Sequence, residues 1–190
     1  RDEHYHTYGD YLIWSRTFGD EVINGTAYIR EPPSASRLHQ DIVGELHRQI
    51  ANTTLNSPWR VYVAPLDVRL PRATEKDEDI DTVVQPDLLI VSNLEQVDRR
   101  GVRGAPCWLA EVLSPGTSRY DRRVKLPVYE RAGVREVWLV QPLDRTVTVY
   151  QLASGQYGPG KRFPLEGKMQ LTAVPHVTID WDLVLSRLSP

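Results

Sequence analysis

From Cys107 to Leu113 the chain reads Cys-Trp-Leu-Ala-Glu-Val-Leu, a nearly continuous apolar run broken by one acid, Glu111. A run this short and uniformly apolar predicts a strand covered on both faces, because a strand with one wet face alternates polar and apolar residues instead. Covering both faces requires layers of structure on either side of a sheet, which points to an α/β domain. In an extended strand Glu111 shares a face with Leu109 and Leu113, while Trp108, Ala110 and Val112 face the other way. Burying a lone carboxylate is expensive, so Glu111 needs a raised pKa, a salt bridge or a metal ion. The residue alone leaves an arginine ion pair and a metal equally open.

A second acid stands in a similar setting. Val83 to Val91 predicts another apolar strand, with Pro86 confined to its start, a bulge or an edge, and Asp87 follows that proline. An aspartate in this position often initiates a turn through its own side chain. Taken with Glu111 it gains a second meaning, because two carboxylates on neighbouring strands can hold a divalent cation. An ammonium beside them, for which Lys125 is the candidate, can steady a phosphate and its attacking water.

The remaining elements follow from period and punctuation. Tyr8 to Arg16 predicts a short helix, and the two apolar runs of Glu21 to Ile29 about Asn24-Gly25 predict a hairpin. The stretch from Glu31 to Ser36 ends the hairpin and supplies a serine cap, after which Leu38, Ile42, Leu46 and Ile50 mark an amphipathic helix. Trp59 to Val63 and Leu66 to Leu70 read as strands around Pro65. Ser114 to Ala132 reads as a turn and a helix closed by Gly133, within which Pro127 requires either a regular start near Arg123 or a kink. Glu136 to Val140 and Thr146 to Leu152 are two more strands, followed by one or two others and a helical turn near Asp182 to Leu188. The sum is one domain over residues 1–190, built on a single mixed, twisted sheet flanked by helices, with an N-terminal hairpin and C-terminal strands.

Composition narrows the class. Hydrophobic residues make up 41% and charged residues 25%, and no apolar run approaches the length of a membrane span. Cys107 is the only cysteine, which excludes an internal disulfide and a thiolate metal cluster and predicts a soluble protein of a reducing cytoplasm. A net charge of -2 argues against indiscriminate coating of nucleic acid. Locally the balance reverses: residues 99–136 carry nine basic side chains against four acidic ones. Within that stretch Arg119, Arg122 and Arg123 are candidates for positioning phosphates. Glu75 to Asp81, five acids around one lysine, reads as a solvated loop. The tryptophans, led by Trp108 and Trp138, read as core. His39 lies on the apolar side of its helix and reads as a neutral imidazole hydrogen-bonded in the core, and His4 and His6 sit near the terminus, neither of them a convincing metal ligand.

Four blocks in order carry a resemblance: Val84-Gln85-Pro86-Asp87-Leu88-Leu89, Glu111-Val112-Leu113-Ser114-Pro115, the stretch from Lys125 to Val134, and Glu136-Val137-Trp138-Leu139-Val140. Pro86-Asp87 followed by Glu111-Val112-Leu113 resembles the PD-(D/E)xK nuclease signature, and the blocks together resemble the Uma-type restriction-endonuclease family of that superfamily over nearly the whole chain. The resemblance implies a restriction-endonuclease-like fold and a Mg²⁺-dependent endonuclease acting on DNA, with Mn²⁺ as a substitute and a homodimer compatible with it. It implies Asp87 and Glu111 as metal ligands, with Glu21 as a third and Glu45 as its competitor, and it places His39 near the site. The signature's lysine belongs two residues after the acid, where this chain has Leu113, so Lys125 from the following helix would supply the missing ammonium. That substitution also leaves open a module that keeps the fold as a nucleic-acid-binding or scaffolding unit without catalysis.

Overall fold

The computed structural model describes residues 4–14, 20–29 and 36–188. Helix α1 (Tyr8–Ile13) stops earlier than expected: Trp14 is already extended, and Arg16 lies outside the described residues. Its start is fixed by Asp10, which accepts the Thr7 N–H at 2.8 Å. Strands β1 (Glu21–Ile23) and β2 (Thr26–Tyr28) form the predicted hairpin, with Asn24 and Gly25 at φ 51° and 74°, the left-handed pair whose twist suits a two-residue turn. Residues 33–35 of the expected helix entry lie outside the described residues, but Ser36 caps α2 (Arg37–Thr54) by accepting the His39 N–H at 3.2 Å. Ile42, Leu46 and Ile50 are fully buried along the predicted stripe.

Seven strands follow: β3 (Arg60–Val63), β4 (Val68–Arg69), β5 (Val83–Val84), β6 (Leu88–Val91), β7 (Val97–Asp98), β8 (Gly101–Arg103) and β9 (Trp108–Val112). The single strand expected over residues 83–91 is therefore two. Pro86 offers no N–H to a ladder, and the chain changes sheets across it. After β9 the helical region is also divided, into a short α3 (Ser118–Tyr120), a π-helical turn over Asp121–Lys125 and α4 (Leu126–Ala132). Pro127 is the second residue of α4, directly after the π turn, and Gly133 closes the helix at φ 87°. Strands β10 (Glu136–Gln141), β11 (Thr146–Ala153), β12 (Gln156–Tyr157), β13 (Lys161–Pro164), β14 (Lys168–Gln170) and β15 (Thr178–Asp180) precede α5 (Trp181–Ser186). The region after β11 thus holds four strands rather than one or two.

The expected single sheet is replaced by two, with a separate β14–β15 ribbon. One sheet runs β2-β1-β5-β4-β8-β7 and the other β12-β11-β10-β9-β6-β3, with β13 also pairing β11. Both are mixed: β9 lies parallel to β10 and β4 parallel to β8, while the remaining pairs are antiparallel. Strand β9 is buried on both faces as its composition requires. Trp108, Ala110 and Val112 join Ile42, Leu46, Trp138 and Trp181 in one core, and Leu109 and Leu113 join Val128, Tyr129 and Leu139 in the other. Truncating one of these buried tryptophans would cost about 3–5 kcal/mol.

The acidic stretch 75–81 is solvated only in part: Lys76, Glu78 and Asp79 are exposed, but Asp77 and Asp81 are tied down by ion pairs. Asp77 pairs with Arg69 and with Arg103, the latter at 2.8 Å, and buried Asp81 accepts from Arg72 at 2.6 Å and Tyr5 at 2.5 Å. The cause is Arg69, which is fully buried and needs the counter-charges that Asp77 and Asp98 provide. No described helix is long and apolar enough to cross a membrane.

Candidate active site

The crossing between the two sheets is where the acids meet. Glu21 comes from β1 in the first sheet, Glu111 from β9 in the second, and Asp87 from the link between β5 and β6. Pro86 has no backbone donor of its own, and the N–H groups on either side of it go to side chains. The Gln85 N–H donates to Glu21 Oε1 at 2.7 Å, and the Asp87 N–H makes a long contact to Glu111 Oε2 at 3.5 Å. Asp87 in turn accepts the Val112 N–H on Oδ2 at 2.7 Å, which ties it to the end of the Glu111 strand. The link that breaks the strand is therefore the link that assembles the carboxylates.

Lys125, at the last position of the π turn, closes the group. Its Nζ lies 2.6 Å from Glu111 Oε1 and 2.9 Å from Glu21 Oε1, and its side chain is only 1% exposed. Tyr129, one helical turn further on, donates its hydroxyl to Glu111 Oε1 at 2.5 Å, and Tyr120 donates to Glu21 Oε2 at 2.7 Å. Asp121 is buried beside them. Burial pushes the Glu111 carboxyl up to about 8; Lys125 pulls it down, and the charges of Asp121, Asp87 and Glu21 add to the rise.

Asp87 is the outward-facing member, with 22% of its side chain exposed. Its Oδ2 also meets His39 Nε2 at 3.2 Å, so the first turn of α2 reaches the site. Burial lowers the affinity of His39 for a proton, but the hydrogen bond and charge of Asp87, with the charge of Asp121, outweigh it and the pKa is raised overall. Among the described residues no hydrogen bond reaches Asp87 Oδ1.

These observations bear on a metal. Among the described residues no three or more His, Cys, Asp and Glu side chains converge as a cage. Among the described residues the site instead offers one uncommitted oxygen from each of two carboxylates: Asp87 Oδ1, and Glu111 Oε2, whose one hydrogen bond there is the 3.5 Å approach of the Asp87 N–H. That donor set fits a hard divalent ion such as Mg²⁺, which is held by one or two carboxylates and retains water. A buried carboxyl whose charge is penalised is also a group that gains from a cation. Glu21 is differently placed, since the Gln85 N–H, Lys125 and the Tyr120 hydroxyl occupy both its oxygens.

The structure thus brings Asp87, Glu111, Lys125 and Glu21 together and leaves Glu45 apart. Glu45 is buried on α2 against Arg48 and Gln49, at 2.5 Å and 3.1 Å. Arg119 and Arg123 are exposed and Arg122 is half-buried on the turn that carries Lys125; among the described residues none of the three forms an ion pair. Sequence reasoning missed Tyr129, Tyr120 and Asp121. A signal existed for Tyr129, which follows Lys125 by the four residues that align side chains on a helix. Tyr120 precedes Lys125 by five, a spacing that aligns only across a π turn.

The solved structure of a protein titled "putative nuclease belonging to DUF820", from Anabaena variabilis ATCC 29413, has the same fold. It matches with a TM-score of 0.75 and 18% identity over 96% of this chain and 99% of the other. No curated protein matches the chain. A family model matches residues 10–183, which include Glu21, Asp87, Glu111 and Lys125, and on that match the chain belongs to the Uma2 family, described as "Putative restriction endonuclease".

Proposed function

We propose that this protein is a divalent-metal-dependent endonuclease that hydrolyses DNA phosphodiester bonds at the Asp87–Glu111 site. The observation that carries the reading is the convergence of Asp87, Glu111 and Lys125 from three separate elements, with Asp87 facing outward and the other two buried. Asp87 Oδ1 and Glu111 Oε2 would hold Mg²⁺, which when bound acidifies water and offsets charge developing on phosphorus. Lys125 favours the ionised form of Glu111, against the effect of burial, and fixes the carboxyl by Oε1. At 1% exposure it acts through that carboxylate rather than on open water. His39 holds Asp87 by Oδ2 and so leaves Oδ1 for the ion. Arg119, Arg122 and Arg123 supply positive charge on the adjoining turn for phosphates on either side of the scissile bond. Membership of a family described as "Putative restriction endonuclease", and a fold shared with a protein titled "putative nuclease", support nucleic acid as the substrate.

The test is nicking of supercoiled plasmid. Purified protein should convert it to open circles with Mg²⁺ or Mn²⁺, stop on addition of EDTA, and lose activity in Asp87→Asn while remaining folded. Metal-dependent nicking that persists in Asp87→Asn would place the chemistry elsewhere. Salt-sensitive DNA binding without cleavage under any metal would favour a binding module.

A further inference from the structure

Tyr129 is 1% exposed and packed among Val128, Val134 and Leu139, a place a phenylalanine would fill as well. A hydroxyl buried there needs a reason, since it must be hydrogen-bonded to be tolerated. Its partner is Glu111 Oε1, at 2.5 Å, the short end of the range for an O–H donor on a carboxylate. Burial, together with the charges of Glu111 and Glu21, raises the Tyr129 pKa well above 10, so the phenol stays a donor.

The contact is one half of a paired arrangement. Tyr120 grips Glu21 by Oε2 and Tyr129 grips Glu111 by Oε1, with Lys125 between them on both carboxylates. In a regular α-helix Tyr120 and Lys125, five residues apart, would face in different directions, whereas Lys125 and Tyr129, four apart, would align. The π turn over Asp121–Lys125 adds the residue that brings all three to one side. A distortion that costs hydrogen-bond geometry is thus placed where it lets one helical segment hold both acids.

We propose that Tyr129 is a positioning residue of the site: with Lys125 it holds Glu111 by Oε1, and so leaves Oε2 as the oxygen presented beside Asp87. The inference rests on the reading of Asp87 and Glu111 as the metal-holding pair and assigns what orients that pair. Both buried donors converge on one oxygen of Glu111, while among the described residues the other oxygen accepts only the long Asp87 N–H contact. Outer-shell partners of metal-binding carboxylates typically contribute 10–100-fold to metal affinity.

Calorimetric titration of the whole protein with Mn²⁺ tests this on wild type, Tyr129→Phe and Tyr157→Phe. Tyr157 serves as the control because its hydroxyl is bonded in the same core, to the Val134 carbonyl at 2.8 Å, and touches no carboxylate of the site. The expected result is Mn²⁺ affinity reduced about 10–100-fold in Tyr129→Phe and unchanged in Tyr157→Phe. A folded Tyr129→Phe that binds Mn²⁺ as wild type does overturns the positioning role and leaves the Asp87–Glu111 reading standing. Absence of binding in the wild type overturns that reading and the inference with it. Should Tyr129→Phe not fold, wild-type protein with labelled tyrosine decides by NMR. The slowly exchanging Tyr129 hydroxyl proton should move on addition of Mg²⁺, and an unmoved resonance under saturating metal overturns the role.

Discussion

Replacing Lys125 by methionine keeps the side chain's length and removes one buried charge. Its ammonium lies within 2.9 Å of Glu21 and 2.6 Å of Glu111, and all three side chains are almost wholly enclosed. Breaking a buried pair by removing one partner typically costs about 3–5 kcal/mol. Here the lower end applies, because Glu21 keeps the Gln85 N–H and the Tyr120 hydroxyl as donors. About 3 kcal/mol in a chain of this length lowers Tm by roughly 6–12 °C. The effect should also depend on pH with a definite sign. Glu111 has a folded pKa of about 8, raised from 4.5, so its contribution to stability is complete below 4.5 and is lost as pH rises through 8. Without Lys125 the carboxyl holds its proton to still higher pH. Above pH 8 the wild type therefore levels off while the variant goes on losing about 1.4 kcal/mol per pH unit. Thermal unfolding followed by circular dichroism at pH 7 and pH 9 should show the deficit widening, and Glu21→Gln in the Lys125→Met background should recover part of it. A deficit under about 2 °C, or one that does not grow between the two pH values, would refute the buried triad and with it the charge-compensating role of Lys125.

Three further outcomes are expected. Since Glu111 must lose its proton to bind a cation, Mn²⁺ affinity should rise about tenfold per pH unit up to about 8 and then level, with one proton released per ion at pH 7; affinity independent of pH in calorimetry would contradict this. Changing Arg122 and Arg123 together to alanine should weaken duplex binding and flatten the dependence of log K on log salt by about 0.9 for each phosphate that is no longer neutralised, and an unchanged slope in fluorescence anisotropy removes that turn from the interface. Glu136 accepts from Trp138 Nε1 at 2.5 Å and from the Ala173 N–H at 2.6 Å, so Glu136→Ala should lose about 2 kcal/mol in urea unfolding while Mn²⁺ binding is kept; weakened Mn²⁺ binding would couple that distant pair to the site.

The parts of the fold that were legible in the sequence are those set by local chemistry. Asn24-Gly25 dictated a turn of the required twist, Ser36 a helix cap, Gly133 a helix end, and the alternation around Glu111 assigned each side chain of β9 to the correct core. The division into two sheets was not legible, because it depends on where the donors beside Pro86 find partners. Those partners, Glu21 and Glu111, lie tens of residues away in the chain. The acidic stretch 75–81 misled for the same reason: its counter-charges, Arg69 and Arg103, are supplied by β4 and β8. At the candidate site Asp87 and Glu111 stood out as charges in apolar strands, and Lys125 only as the nearest lysine to a strand that carries Leu113 at the expected position. Tyr129 and Tyr120 did not, since a tyrosine in a helix reads as core until a π turn and a distant carboxylate are known.

The central claim is that Asp87 and Glu111 share one divalent ion. Anomalous diffraction from crystals soaked in Mn²⁺ tests it most directly. The account predicts a peak within coordination distance of Asp87 Oδ1 and Glu111 Oε2, with Lys125 and Tyr129 still on Glu111 Oε1, and no such peak in Asp87→Asn. Crystals with no peak between the two carboxylates, or with manganese at Glu45 or the acids of 75–81 instead, would contradict it.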